Sequence, residues 1–403
     1  MRSIKKMGEE ERRVWIADID WRFLGKTAHL QARRNVVKSR NVFVLVIVFL
    51  MAVSCIWADD KGEAYWTKGL SIESGGPTLQ LPAKRGPYRI AVVNGFAGNM
   101  WRLQTLQTVK AYALKPEIKP EIKELKVVSV GNDVADQIAA IDNFISAGID
   151  AVLFIAINPT AFTGVIKRAQ RAGVVLVPFD NVLDTDAVCQ AFQDDKGLGR
   201  SWAEMLVKHM PKPEGTILEV RGVLGYKADS DRHDGIQEVL KRYPRIKTIE
   251  VVGQWDTGTT QKVVADAIAT YGKFDGFICQ YGTVGVINAM LDSKQQPIVP
   301  VCGDQENGVL TLLAENHIPG GTAGISPSQS AAALKVAIAL LKGYPVPKKC
   351  ILRTPRAIDN ADLKPGVEYF PDLSPNFTCT ISYPEADINF TPAEIMNQTA
   401  ANQ

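Results

Sequence analysis

Asp180 and Asn181 close one short apolar run of this chain, and Asp304 closes another in an equivalent place. Near the ends of other runs stand Phe96, Trp101, Arg102, Arg232, Trp255, Asp256 and Gln280. Carboxylates and guanidinium groups make charge-assisted hydrogen bonds, and indole or phenyl faces make flat apolar walls. Such groups hold a small polar molecule without making or breaking a bond in it. Arg232 opens a predicted helix, where a cation opposes the macrodipole, so a specific partner is expected for it. Arg102, directly after Trp101, is similarly placed.

Bond-making chemistry finds little support. After Val93 the chain reads NGFAGNMW, without the G-x-G-x-x-G spacing of a dinucleotide-binding turn, and no P-loop pattern is present. The histidines are His29, His209, His233 and His317, and none lies in an H-E-x-x-H or triad context. No catalysis, cofactor or metal is therefore expected.

The elements that position these residues are eight apolar runs in two sets of four. The first set is RIAVVNG (Arg89 to Gly95), LKVVSVGND (Leu125 to Asp133), DAVLFIAIN (Asp150 to Asn158) and VVLVPFDN (Val174 to Asn181). The second is GTILEVRG (Gly215 to Gly222), KTIEVVGQWD (Lys247 to Asp256), FDGFICQYG (Phe274 to Gly282) and QPIVPVCGDQ (Gln296 to Gln305). Such runs, separated by amphipathic stretches of helical length, predict parallel strands covered on both faces. The fold class is α/β: two doubly wound parallel-sheet lobes joined by a multi-strand hinge, with a ligand cleft between them. Ligands of such sheets sit beyond the carboxyl ends of the strands, which puts Asp180 and Asp304 opposite each other across that cleft.

The domain boundaries follow. Residues 1–58 read as an export signal or anchor, 59–87 as a linker with no core of its own, and 353–403 as an extended tail. The first lobe spans 88–189 with 326–352, because the Ala-rich helix after Ser326 has no strand left to serve in the second lobe, 190–325. Arg33, Arg34, Lys38 and Arg40 precede the apolar stretch Val42 to Val53, and cleavage after Ala58 would release the rest outside the cytoplasm. Read as an anchor, the stretch from Val42 through Ala58 has 17 residues, the lower edge for a bilayer span. Lipid modification at Cys55 is a third reading. The formal charge of +3 hides this division, since residues 1–58 carry 11 Lys/Arg and 5 Asp/Glu, and the remainder carries 35 and 38. That remainder has no basic nucleic-acid footprint.

Five cysteines follow the signal stretch: Cys189, Cys279, Cys302, Cys350 and Cys379. In an oxidising compartment Cys350 and Cys379 are the expected disulfide, because both flank a Pro-rich tail that needs tying down. Cys279 and Cys302 are expected to be small buried hydrophobes.

Several stretches together resemble the periplasmic sugar-binding proteins of the ribose-binding type, the solute receptors of bacterial ABC importers. They are Asn99-Met100-Trp101-Arg102, Asp136-Gln137, GIDAVLFIAINPTA (Gly148 to Ala161), AGVVLVPFDN (Ala172 to Asn181), DRHDGIQEVLKRYP (Asp231 to Pro244), Trp255-Asp256 and VCGDQ (Val301 to Gln305). The likeness covers about residues 88–350. It implies a monomeric receptor that captures a small sugar or polyol and hands it to a membrane permease. It also implies that Asp180 and Asp304 accept sugar hydroxyls and that Arg232 forks onto ligand oxygens. Trp101, Phe96 and Trp255 would be the walls, with Arg102, Asn181, Asp256 and Gln280 as further contacts. Where the family has an Asn-Asp pair this chain has Cys279-Gln280-Tyr281-Gly282-Thr283, and where a Gln commonly closes the later hinge strand it has Ile325. A sensor subunit serving a chemoreceptor or a membrane histidine kinase fits the same pattern.

Overall fold

Covered on both faces by helices, most of the Val-, Ile- and Leu-rich runs form buried strands, whereas Ile122–Ser129 and Ile246–Val252, at the sheet edges, are only partly buried. The computed structural model describes residues 62–402. The stretch read as a signal or anchor, with Cys55, lies outside them. Among the described residues no helix is long and apolar enough to cross a membrane.

In the first lobe β1 (Tyr88–Asn94), β2 (Ile122–Ser129), β3 (Ala151–Phe154) and β4 (Val175–Pro178) form a parallel sheet in the order β2-β1-β3-β4. Helices α1 (Met100–Ala113), α2 (Val134–Ser146) and α3 (Thr163–Ala172) connect them. The chain then crosses through β5 (Gln190–Gln193) and α4 (Asp195–His209). The second lobe holds β6 (Gly215–Arg221), β7 (Ile246–Val252), β8 (Gly276–Cys279), β9 (Val301–Gly303) and β10 (Gly320–Thr322). Its helices are α5 (Lys227–Leu240), α6 (Thr257–Tyr271), α7 (Thr283–Asp292) and α8 (Asn307–Glu315).

Helix α9 (Gln329–Leu341) returns to the first lobe and packs against α1, β3, β4 and β5. Every one of its residues is at most 1% exposed, which explains its alanines: a helix enclosed all round needs small side chains on every face. Strand β11 (Lys349–Leu352) pairs in parallel with β5. At the centre of the crossings Gln193 accepts from the Ser326 amide at 3.3 Å and donates to the Gly324 carbonyl at 2.9 Å, so two crossings share one side chain.

Three expectations need correction. Residues 62–87 are not a coreless linker: Gly62–Thr67 is a helix, Trp66 and Leu70 are buried in the main core, and Thr78–Leu79 pairs with Val346–Pro347. Cys350 and Cys379 are both free, since Cys350 is inside the β5/β11 ladder while Cys379 lies beside Asn307 of the second lobe. The tail, read as an extended cap, is also part of the core. It adds β12 (Ile358–Asp359) antiparallel to β10, buries Phe377, Tyr383, Ile388 and Ile395, and ends in α10 (Pro392–Met396) on α1. The second sheet therefore has six strands, in the order β12-β10-β9-β8-β6-β7.

The tail also joins the lobes. Gln104 of α1 exchanges two hydrogen bonds of 2.9 Å with the Thr378 backbone, while Cys379 donates to the Gln305 carbonyl at 3.0 Å and Asn307 to that of Phe377 at 2.7 Å.

Candidate functional site

Four side chains at the carboxyl edge of the first sheet point into the space between the lobes: Asn99, Trp101, Arg102 and Asp180. Ala228, Arg232, Trp255 and Tyr281 close it from the second lobe, with Ile325 from a crossing segment, around about 350 Å³ of atom-free space counted out to the mouth.

On the first-lobe side, Asn99 caps α1 by accepting from the Arg102 amide at 3.0 Å, which fixes the turn carrying Trp101 and Arg102. The Trp101 indole donates to the Ile325 carbonyl at 2.8 Å. Arg102 reaches Asp180 at 4.0 Å and Asn94 at 3.4 Å. Asp180 has φ +64°, a conformation uncommon for a side-chain-bearing residue, and its carboxylate accepts from Gln329 at 3.3 Å. Burial pushes the Asp180 carboxyl up, and the Arg102 and Arg232 charges pull it back. Burial lowers Arg102 in turn, against the pull of Asp180.

On the second-lobe side, helices α4 and α5 meet at backbone contact. A Cβ on Gly199 would lie 2.0 Å from the Arg232 carbonyl oxygen, and one on Gly235 2.0 Å from that of Lys196. This approach sets the Arg232 guanidinium on Asp195 at 2.7 Å, with both side chains under a tenth exposed. Burial raises Asp195 to about 7, opposed by Arg232. Arg232 also lies 5.6 Å from the centre of the Trp255 ring, and Arg102 5.7 Å from that of Trp101. Trp255 has φ +53° and packs edge-on to Tyr226 with ring centres 5.5 Å apart. Each side thus presents an indole, an arginine and a carboxylate that neutralises it.

Two hydrogen bonds join the lobes at this cleft: Asn99 to the Trp255 carbonyl at 3.4 Å, and the Tyr226 hydroxyl to Asn132 at 2.6 Å. The lobes are therefore closed on one another.

Of the residues singled out in the sequence, the structure brings together Trp101, Arg102, Asp180, Arg232 and Trp255. The others are elsewhere. Phe96 is 36% exposed and folds back against Gly98. Asn181 is buried, with neither side-chain polar atom hydrogen-bonded. Asp256 caps α6, accepting from the Thr259 amide at 2.7 Å. Gln280 is behind Trp255, accepting from its indole at 3.4 Å and donating to the Asp229 carbonyl at 3.0 Å. Asp304 is separated from the cleft by Tyr281 and does not face Asp180. Asn99, Ala228, Tyr281 and Ile325 line the cleft without having been singled out as contacts, although Tyr281 and Ile325 were noted as departures from the family pattern. Asp195 lacked a sequence signal, since its partner is set by a helix crossing.

His233 is occupied structurally. It lies 2.8 Å from Glu219, and Arg221, which pairs with Asp229 at 2.6 Å and Glu250 at 2.7 Å, supplies the cation of that cluster.

Residues 90–345 match the family described as a periplasmic binding protein domain. The xylitol-binding protein of Mycolicibacterium smegmatis is 25% identical over 248 residues, covering 60% of this chain and 70% of that protein. An ABC transporter solute-binding protein from Thermobispora bispora superposes with a TM-score of 0.62 at 28% identity, over 66% of this chain and 84% of that one. The fold is shared with a solute-binding protein from Bacillus halodurans with bound myo-inositol, with a TM-score of 0.62 at 18% identity, over 68% of this chain and 96% of that one. With matched residues spanning both lobes and the hinge between them, the chain belongs to the periplasmic binding protein domain family.

Proposed function

We propose that this protein is an extracytoplasmic receptor, acting as a monomer, that captures a sugar or sugar alcohol and delivers it to an ABC import permease. One observation carries the reading. Each cleft arginine is already paired with a carboxylate beside an indole face, Arg102 with Asp180 and Arg232 with Asp195. A guest whose charge lay in this cleft would have to break one of those pairs, whereas a body with apolar C–H faces and a rim of hydroxyls uses walls and pairs as they stand. The names of the relatives, a xylitol-binding protein among them, support the same class.

Capture needs no covalent step. Hydroxyls that bridge Asp180 and Arg102 in one lobe to Arg232 in the other stabilise the closed arrangement, and ligand shifts the population toward it. The closed form offers the permease a surface spread over both lobes.

A thermal-shift screen of the exported domain tests this with arabinose, xylose, galactose, fructose, xylitol and myo-inositol, alongside amino acids and aromatic acids. A ligand at a hundred times its Kd adds about 2.7 kcal/mol to native-state stability, a readily measured rise in Tm. At least one carbohydrate is expected to raise Tm. A rise with an amino acid or aromatic acid and none with any carbohydrate would refute the substrate class.

A further inference from the structure

Behind Trp101, Tyr281 and Ile325, which line the main cleft, is a second, smaller cavity, with about 180 Å³ of atom-free space counted out to its mouth. Its other walls are Asp304, Gln305, Glu306 and Thr378. With about half the space of the cleft, it suits one polar substituent rather than a ring.

The chemistry of this cavity is one-sided. Asp304 and Glu306 are 3% and 2% exposed. Asp304 accepts from the Thr283 hydroxyl at 3.2 Å and from the Glu306 amide at 3.3 Å, but among the described residues neither carboxylate has an ion-pair partner. Glu306 Oε2 accepts no hydrogen bond. The Thr378 hydroxyl, on a residue 3% exposed, is also without a partner. It belongs to the C-terminal segment, beyond the residues that match the family, and is set in place by its bridge to Glu306. Burial, then the neighbouring Asp304 charge, raise the Glu306 carboxyl well above the usual range. Two adjacent buried carboxylates with no cation are costly when both are ionised, so a proton or a positive group must come from elsewhere.

We propose that this cavity is a subsite for a protonated amine, so that the captured molecule is an amino sugar or amino polyol whose hydroxylated body occupies the main cleft. The inference rests on the sugar-receptor reading above. The three N–H donors of an ammonium group match Asp304, Glu306 and the Thr378 hydroxyl. In the main cleft an amine gains less, because the carboxylates Asp180 and Asp195 already have their arginines. Because Trp101, Tyr281 and Ile325 line both cavities, the acidic pair lies one side chain behind the cleft, and a short substituent on a ring in the cleft reaches it when Tyr281 turns aside.

Calorimetric titration of the exported domain with matched pairs tests it: glucose against glucosamine, galactose against galactosamine, and xylitol against its 1-amino-1-deoxy derivative. At least one amine is expected to bind about tenfold more tightly than its hydroxyl parent, or about 1.4 kcal/mol. Glu306→Gln should abolish that preference while leaving the parent's affinity within about threefold, and Thr378→Val should reduce it. If a parent binds and no amine in the set binds more tightly, the amine subsite is overturned while the sugar-receptor reading stands. If an amine preference survives unchanged in both variants, the subsite is likewise overturned. If neither these compounds nor the wider carbohydrate panel bind, the receptor reading fails and the subsite with it.

Discussion

Asp180 and Asp304 follow the fourth strand of their respective sheets, yet they do opposite things. At Asp180 the backbone turns to a positive φ and aims the carboxylate into the cleft, where Arg102 and Arg232 meet it. Asp304 is held by Thr283 and the Glu306 amide, behind a tyrosine, next to a second carboxylate and under the C-terminal segment. Equivalent places in two related sheets therefore do not fix equivalent roles. The helices and tail packed over each strand end decide which charge faces the guest and which is left uncompensated.

The comparison is broken most severely by removing the wall over Asp304. Deleting residues 374–403 takes away Phe377, Tyr383, Ile388 and Ile395, all at most 2% exposed. At about 1.5–3 kcal/mol per large apolar side chain, the loss is comparable with the whole stability of a domain. No cooperative thermal transition is expected; a truncated protein melting like the full chain would show the tail to be dispensable.

Next in size is the cleft itself. Arg232→Ala removes a proposed ligand contact and leaves Asp195 buried without its partner, so affinity for the best sugar should fall at least tenfold, or roughly 1.5 kcal/mol or more. Asp180→Ala should act similarly. Asp304→Ala should change binding of a neutral sugar by less than about threefold. Calorimetry of the three variants decides whether the two aspartates differ, and equal losses at Asp180 and Asp304 would erase the distinction.

A smaller effect concerns pH. Burial raises Asp195 to about 7 against an ordinary 3.8, and Asp304 and Glu306 are raised also. Such carboxyls keep their protons in the folded state where the unfolded chain has released them. The stabilisation from Asp195 is present in full below pH 3.8 and is lost as pH rises through about 7, and that from Glu306 is lost as pH rises through about 9. The unliganded domain should therefore melt at a higher temperature at pH 5 than at pH 8. Glu306→Gln should raise Tm at pH 8 and flatten that slope, while an unchanged profile would mean that the pair is not a source of strain. Smallest of all, Tyr226→Phe deletes one interlobe hydrogen bond, and a loss of about threefold in sugar affinity or less is expected by titration.

Much of the architecture was legible because it is written in local pattern. Runs such as Ile90–Val93 and Ala151–Phe154, repeated between stretches of helical length, fit a covered parallel sheet, and the Ala-rich stretch after Ser326 fits an enclosed helix. Trp101, Arg102, Asp180, Arg232 and Trp255 were legible because strand ends and helix starts are where such sheets place ligands. What was not legible depended on long-range packing. Asp195 meets Arg232 through a crossing that Gly199 and Gly235 permit, and Tyr281 rather than Gln280 faces the cleft because the Gln280 amide is drawn to Trp255 and Asp229. The tail misled by composition: its prolines and polar residues suggest an extended cap, but its scattered Phe, Tyr and Ile side chains enter the core one at a time, without the periodicity of a helix or strand.

The most direct test is a crystal structure of residues 59–403 with the tightest-binding sugar or polyol. The ligand ring should lie between Trp101 and Trp255, with hydroxyls within hydrogen-bond distance of Arg102, Asp180 and Arg232. A ligand bound outside the cleft, or one that displaces Arg232 from Asp195 with an acidic group, would contradict capture of a hydroxylated guest by paired charges.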